Sequence, residues 1–197
     1  INIPTFFALG NHDKRSSFNK VFKKINSKKP LFYNQILEGL NLITLDTSVP
    51  GKISGAICDE QFKFLNKKLI QNKNFPTIIM MHHPPMFNKK GPNWISLDEK
   101  STNKLQSELE KKEILAIMCG HIHINQTNFW NGIPVIISNG LYSTVDLLNR
   151  DDMVILEGKS FNICYIRENG IGVSVIPLKP KAKIFRKISL KKLKNLN

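Results

Sequence analysis

The stretch Thr77-Ile78-Ile79-Met80-Met81-His82-His83-Pro84-Pro85 is an unbroken apolar run that ends abruptly on two histidines and two prolines. A second stretch repeats the pattern: Ile114-Leu115-Ala116-Ile117-Met118-Cys119 runs straight into Gly120-His121-Ile122-His123. Short continuous apolar runs of this kind are buried on both faces, as strands of a sheet covered by helices on either side. A third apolar segment, residues 6–9, reads as a strand end and leads into Gly10-Asn11-His12-Asp13. All five histidines of the chain lie just past these three runs. Loops at the ends of neighbouring strands converge in space, which is where α/β folds place their sites.

Working outward, the remaining segments alternate helix and strand. Ser16 or Ser17 can cap a short helix with Phe18, Val21, Phe22 and Ile25 on one face. Residues 31–37 and 40–45 read as strands joined at Glu38-Gly39. Asp59 is the expected N-cap of a helix reaching about residue 72, with Phe62, Leu65 and Leu69 inward. A polar helix is expected over about 99–112, with Leu105 and Leu109 facing the core. Beyond His123 the pattern changes to hairpins, with two-residue turns at Asn131-Gly132 and Asn169-Gly170. The expected architecture is α/β, a sandwich of two sheets with helices outside.

Composition sets bounds. A chain of 197 residues with 41% hydrophobic and 22% charged content suits one globular domain. No apolar run approaches the roughly 20 residues of a membrane span. Cys58, Cys119 and Cys164 are odd in number and widely spaced, which argues for reduced thiols and a cytoplasmic setting. The net charge of +14 is uneven: residues 178–197 carry eight bases and no acid, leaving 21 bases against 15 acids elsewhere. We divide the chain into a domain over 1–178 and a basic tail over 179–197. That tail is either solvated or an amphipathic segment that touches an acidic surface.

Five histidines at strand ends beside Asn, Asp and Gly indicate a catalytic metal site rather than five structural rings. Imidazole and amide donors without thiolate favour Mn, Fe or Zn over a structural cysteine site. The glycines before two of the motifs are expected to turn the backbone towards the ion. Asp46, at the end of an apolar run, reads as a turn former rather than a ligand.

These residues resemble the calcineurin-like metallophosphoesterases. Gly10-Asn11-His12-Asp13, His82-His83-Pro84-Pro85 and Gly120-His121-Ile122-His123 match that family's three histidine blocks in order. Leu45-Asp46-Thr47-Ser48, Gly55, Glu60-Gln61 and Asn131-Gly132-Ile133-Pro134-Val135 resemble the class III cyclic nucleotide phosphodiesterases in particular. The resemblance implies a four-layer α/β/β/α sandwich and two metal ions. It places Asn11, His82 and His121 on the second metal and His123 on the first. It implies in-line attack of a metal-bridging hydroxide on a small phosphodiester, most closely a 3′,5′-cyclic nucleotide. His12 would be the catalytic acid at the leaving oxygen, with Asp13 orienting its ring. His83 either supports His82 or touches substrate, and Asn93 and Trp94 lie in a loop that could border the substrate.

The family's Asp-x-His and Gly-Asp-x-x-Asp blocks stand upstream of the Asn-His block and are not in this sequence. The chain is therefore expected to be the C-terminal two-thirds of a longer protein, inactive alone and lacking the first strands of its sheet. A phosphomonoesterase, a nuclease of the same superfamily and a non-catalytic scaffold are the alternatives.

Overall fold

The computed structural model describes residues 3–22, 29–149, 151–168 and 170–178. Ile25, Asn169 and the tail 179–197, all of which entered the sequence reading, lie outside the described residues.

The core is a six-stranded mixed sheet. Its strands are β1 (Tyr33–Leu37), β2 (Leu40–Thr44), β3 (Thr77–Met80), β4 (Ile114–Cys119), β5 (Gln126–Trp130) and β6 (Ile133–Ile137). Their order is β1-β2-β3-β4-β6-β5. The four central strands run parallel, and β1 and β5 close the two edges antiparallel. Each edge strand joins its neighbour through a tight turn with both residues left-handed, Glu38-Gly39 and Asn131-Gly132. Gly or Asn meets that demand at little steric cost.

Two crossovers make the parallel pairs. Helix α2 (Asp59–Gln71) links β2 to β3 and buries Phe62, Leu65 and Leu69. Helix α3 (Glu99–Leu109) links β3 to β4 and buries Leu105 and Leu109. These side chains join Ile43, Leu45, Ile79, Ile117, Val135 and Ile137 of the sheet in one cluster. An earlier helix, α1 (Arg15–Phe22), stacks Phe18 and Phe22 on Phe7 with ring centroids 4.5–5.5 Å apart.

Four expectations need correction. Residues 6–9 belong to no strand among the described residues, and the Tyr33 hydroxyl donates to the Phe7 carbonyl and accepts from its amide. The N-cap of α2 is Cys58, without a side-chain cap, and the Asp59 carboxylate pairs instead with Lys104 at 2.7 Å. Helix α3 stops at Leu109; its cap is Asp98, which accepts from the Ser101 amide at 2.7 Å. Finally, the second sheet is two separate ribbons among the described residues. One is β7 (Ser143–Val145) with β8 (Ile155–Glu157), the other β9 (Ser160–Arg167) with β10 (Gly170–Pro177). The α/β class holds, and the helices flank the six-stranded sheet.

Among the described residues no helix is long and apolar enough to cross a membrane. The three cysteines are free thiols, and burial pushes Cys119 far above the ordinary thiol range.

Candidate metal centre

The parallel strands deliver their loops to one edge. His82 follows β3 and His121 follows β4, while the loop holding Asn11 approaches from outside the sheet. Three donor atoms meet there. His82 Nε2 lies 2.9 Å from Asn11 Oδ1 and 3.2 Å from His121 Nδ1.

Tautomers follow from the partners. His121 Nε2 faces the Trp94 carbonyl at 2.6 Å. A carbonyl only accepts, so Nε2 carries the proton and Nδ1 presents a lone pair to His82. Burial is the main cause that lowers both pKa values, to about 3 for His82, where the neighbouring histidines add to it. Both rings are thus neutral at pH 7, the form in which imidazole ligates a metal. Two nitrogens and an amide oxygen converge with no acid or thiolate among them, which suits a borderline metal ion.

Close approach dictates Gly10. A Cβ on Gly10 would stand 2.8 Å from His82 Cε1, so the ring packs directly on backbone. The left-handed residues of the site are not glycines, as expected, but His121 (φ 75°) and His123 (φ 54°). Non-glycine residues held there cost of order 1–3 kcal/mol each and concentrate at functional sites.

His12 and His123 join Asn11, His82 and His121 around a cavity of about 300 Å³, whose apolar wall is Ile53, Trp94 and Met153. His12 is exposed and also borders a neighbouring groove with Lys14 and Ser48. The His123 ring nitrogen Nδ1 contacts Ser143 Oγ at 3.0 Å, and Thr144 Oγ1 donates to its carbonyl. Asp13 accepts the Gly10 amide at 2.8 Å, so among the described residues its hydrogen bond shapes the loop and does not reach the His12 ring. Asn93 opens the turn that carries Trp94 and is exposed, outside the cavity lining.

His83 behaves differently from its neighbour. The imidazoles of His82, His83 and His121 have nitrogens within 4.8 Å of one another. Yet His83 is 0% exposed and both its nitrogens are engaged, Nδ1 with Thr47 Oγ1 at 2.8 Å and Nε2 with the Ile53 carbonyl at 2.9 Å. It is more deeply buried than His82 and His121, with both ring nitrogens taken up by protein partners.

Asp46 is a buried hub, as a turn former would be. Its carboxylate accepts from Arg15 Nε at 2.8 Å, the Leu31 amide at 2.9 Å and the amide and hydroxyl of Ser48. Gln61 brackets its backbone, accepting from the amide and donating to the carbonyl. Sequence reasoning gave no role to Thr47, Ile53, Ser143 or Met153. Thr47 lies in the quoted stretch 45–48 but no role attaches to it there, and the other three stand in no motif, since each reaches the site only through the folding of a distant loop.

The chain belongs to the calcineurin-like phosphoesterase family, whose model matches residues 1–125, and its histidine cluster is compatible with metal binding. It is 30% identical over 186 residues to a Rhodococcus erythropolis protein named "Probable cyclic nucleotide phosphodiesterase", covering 90% of this chain and 60% of that one. It is 29% identical over 180 residues to a cAMP/cGMP dual specificity phosphodiesterase of Mycobacterium tuberculosis, covering 87% and 55%. The chain thus spans 55–60% of the length of these curated relatives. Among solved structures, a dimetal phosphatase from Danio rerio superposes with a TM-score of 0.54 at 14% identity, covering 86% of this chain and 71% of that one. At that identity the likeness concerns the fold.

Proposed function

We propose that the protein to which this chain belongs is a metal-dependent phosphodiesterase whose substrate class is a 3′,5′-cyclic nucleotide. The observation that carries this reading is the convergence of Asn11 Oδ1, His82 Nε2 and His121 Nδ1, with His12 and His123 on the same cavity. Asn11, His82 and His121 would hold one metal ion, and His123 would serve a second. The donor set accepts Mn, Fe or Zn. Bound metal ions supply positive charge to the phosphoryl oxygens and make water acidic enough to be a nucleophile near neutral pH.

The chain's own residues supply the rest. Neutral His121 offers the Nδ1 lone pair, and neutral His82, whose Nε2–H faces Asn11 Oδ1, would present its Nε2 lone pair once that proton sits on Nδ1. His12 stands at the cavity rim, open to solvent, and donates a proton to the leaving ester oxygen. The Asp13 carboxylate holds the loop that carries Asn11 and His12. Trp94, Ile53 and Met153 offer an apolar wall to a planar base. Named relatives support the substrate class, and the free cysteines are in keeping with action in the cytoplasm.

The test uses the full-length protein loaded with Mn²⁺, with cyclic AMP and bis-p-nitrophenyl phosphate as substrates. Asn11→Ala and His121→Ala are expected to lower metal content and turnover together. His12→Ala is expected to retain metal and lose about 10²–10⁴-fold in kcat, the usual share of a positioned acid. Full metal content with undiminished turnover in both ligand variants would sink the assignment.

A further inference from the structure

The apolar wall of the cavity is held in place by histidines. Trp94 hangs from His121 through its carbonyl, and Ile53 hangs from His83 in the same way, Nε2–H to carbonyl at 2.9 Å. The rest of the His83 environment is built for that one contact. Thr47, itself fully buried, accepts the His83 amide at 3.2 Å, and its hydroxyl proton goes to Nδ1. This fixes the tautomer with the proton on Nε2, as the Ile53 carbonyl requires.

Gly55 then closes the loop over the ring. A Cβ at this position would stand 2.5 Å from His83 Cγ and Nδ1, so only glycine lets the loop lie flat on the imidazole. The Gly55 amide donates to the Ser96 carbonyl at 3.0 Å, and the Gly55 carbonyl accepts from the Asp98 amide at 2.8 Å. Through those two bonds the Ile53 loop and the Trp94 loop form one unit. On its other side the His83 ring packs against His82 and His121, with centroids 4.8 and 4.3 Å away.

We propose that His83 is a positioning residue for substrate binding: it holds Ile53 as the wall of the cavity through the Ile53 carbonyl. It thereby sets substrate affinity, while metal retention rests on other residues. The inference rests on the phosphodiesterase reading for its substrate and on the geometry above for its mechanism.

The experiment compares His83→Asn, His83→Gln and Ile53→Ala in the full-length, metal-loaded protein. A glutamine amide reaches the place of Nε2 and keeps the donor to Ile53; an asparagine is too short to do so. His83→Asn is expected to raise KM for cyclic AMP roughly five- to tenfold, the weight of about one net hydrogen bond, with kcat and metal content within about twofold. His83→Gln is expected to recover most of that KM. Ile53 is exposed, so Ile53→Ala leaves the fold intact and should raise KM alike, the double variant adding little.

Amide exchange gives a readout that needs no substrate. Gly55 and Ala56 amides should exchange faster in His83→Asn and at the natural rate in His83→Gln. Unchanged KM and exchange in His83→Asn would overturn the inference, as would a loss of metal in step with kcat that glutamine does not rescue. If the natural protein hydrolyses no phosphodiester, the functional reading fails, and the exchange measurement still decides the role of His83.

Discussion

The six-stranded sheet and the late ribbons are built from similarly apolar sequence and end in opposite conditions. In the sheet, Ile43, Leu45, Leu65, Ile79 and Ile117 are sealed between strands and crossover helices. In the ribbon region, Tyr142 is 82% exposed and Leu148 91%, and Leu141, Leu147, Met153 and Ile155 are also open. A parallel pair brings its own cover, since the crossover that makes it must lie on a face. A two-stranded ribbon has two faces and no crossover, and is marginal by itself. The candidate centre straddles this divide. His82 and His121 stand on the sealed half, whereas from the ribbon side Ser143 contacts the His123 ring and Met153 lines the cavity.

The largest way to break this contrast is to empty the hub beneath the site. The Asp46 side chain is fully buried against Arg15, whose own is 14% exposed. Asp46→Ala should lower unfolding stability by about 3–5 kcal/mol in urea, because it strands a buried cation and several donors. An unshifted midpoint would show that water replaces the carboxylate. A matched pair of truncations sharpens the comparison itself. Leu65→Ala, in the core, should cost about 2–5 kcal/mol, while Leu148→Ala should stay within about 0.5 kcal/mol. Equal losses would mean that the ribbons carry as much of the fold as the sheet.

A third effect is one of slope. His82 and His83 have pKa values depressed to about 3 and about 4, both chiefly by burial. The unfolded chain titrates near pH ~6.5 and so binds more protons than the folded chain between the two limits. Stability of the metal-free protein is therefore full above that pH and falls as acid carries it towards the folded pKa values. Urea midpoints measured from pH 7 to pH 4 should drop, and His83→Gln should flatten part of the slope. A flat profile in the unsubstituted protein would show that these rings remain solvated.

Legibility in the sequence followed the strength of the local signal. Strand β4 begins and ends where its apolar run does, and β3 lies within one residue of its run. Long apolar runs read well because burial on both faces leaves little else they can be. Residues 6–9 differ because an apolar run becomes a strand only beside a neighbouring strand, and none pairs with it among the described residues. The cap of α2 was misjudged for a related reason: whether an Asp caps or pairs with a lysine depends on what the next helix brings near it.

His82 and His83 mark the boundary most sharply. By itself the sequence determined that histidines follow apolar runs in a set order, hence that a parallel sheet carries them to one edge and that the family is recognisable. It could not separate two identical residues in adjacent positions. The two rings touch edge to face, yet His82 turns its Nε2 to Asn11 while His83 is sealed against Thr47 and Ile53. Only the tertiary structure decided which was which, because the choice depends on where the Asn11 loop and the Ile53 loop come to rest, and those contacts join residues 71 and 30 positions apart.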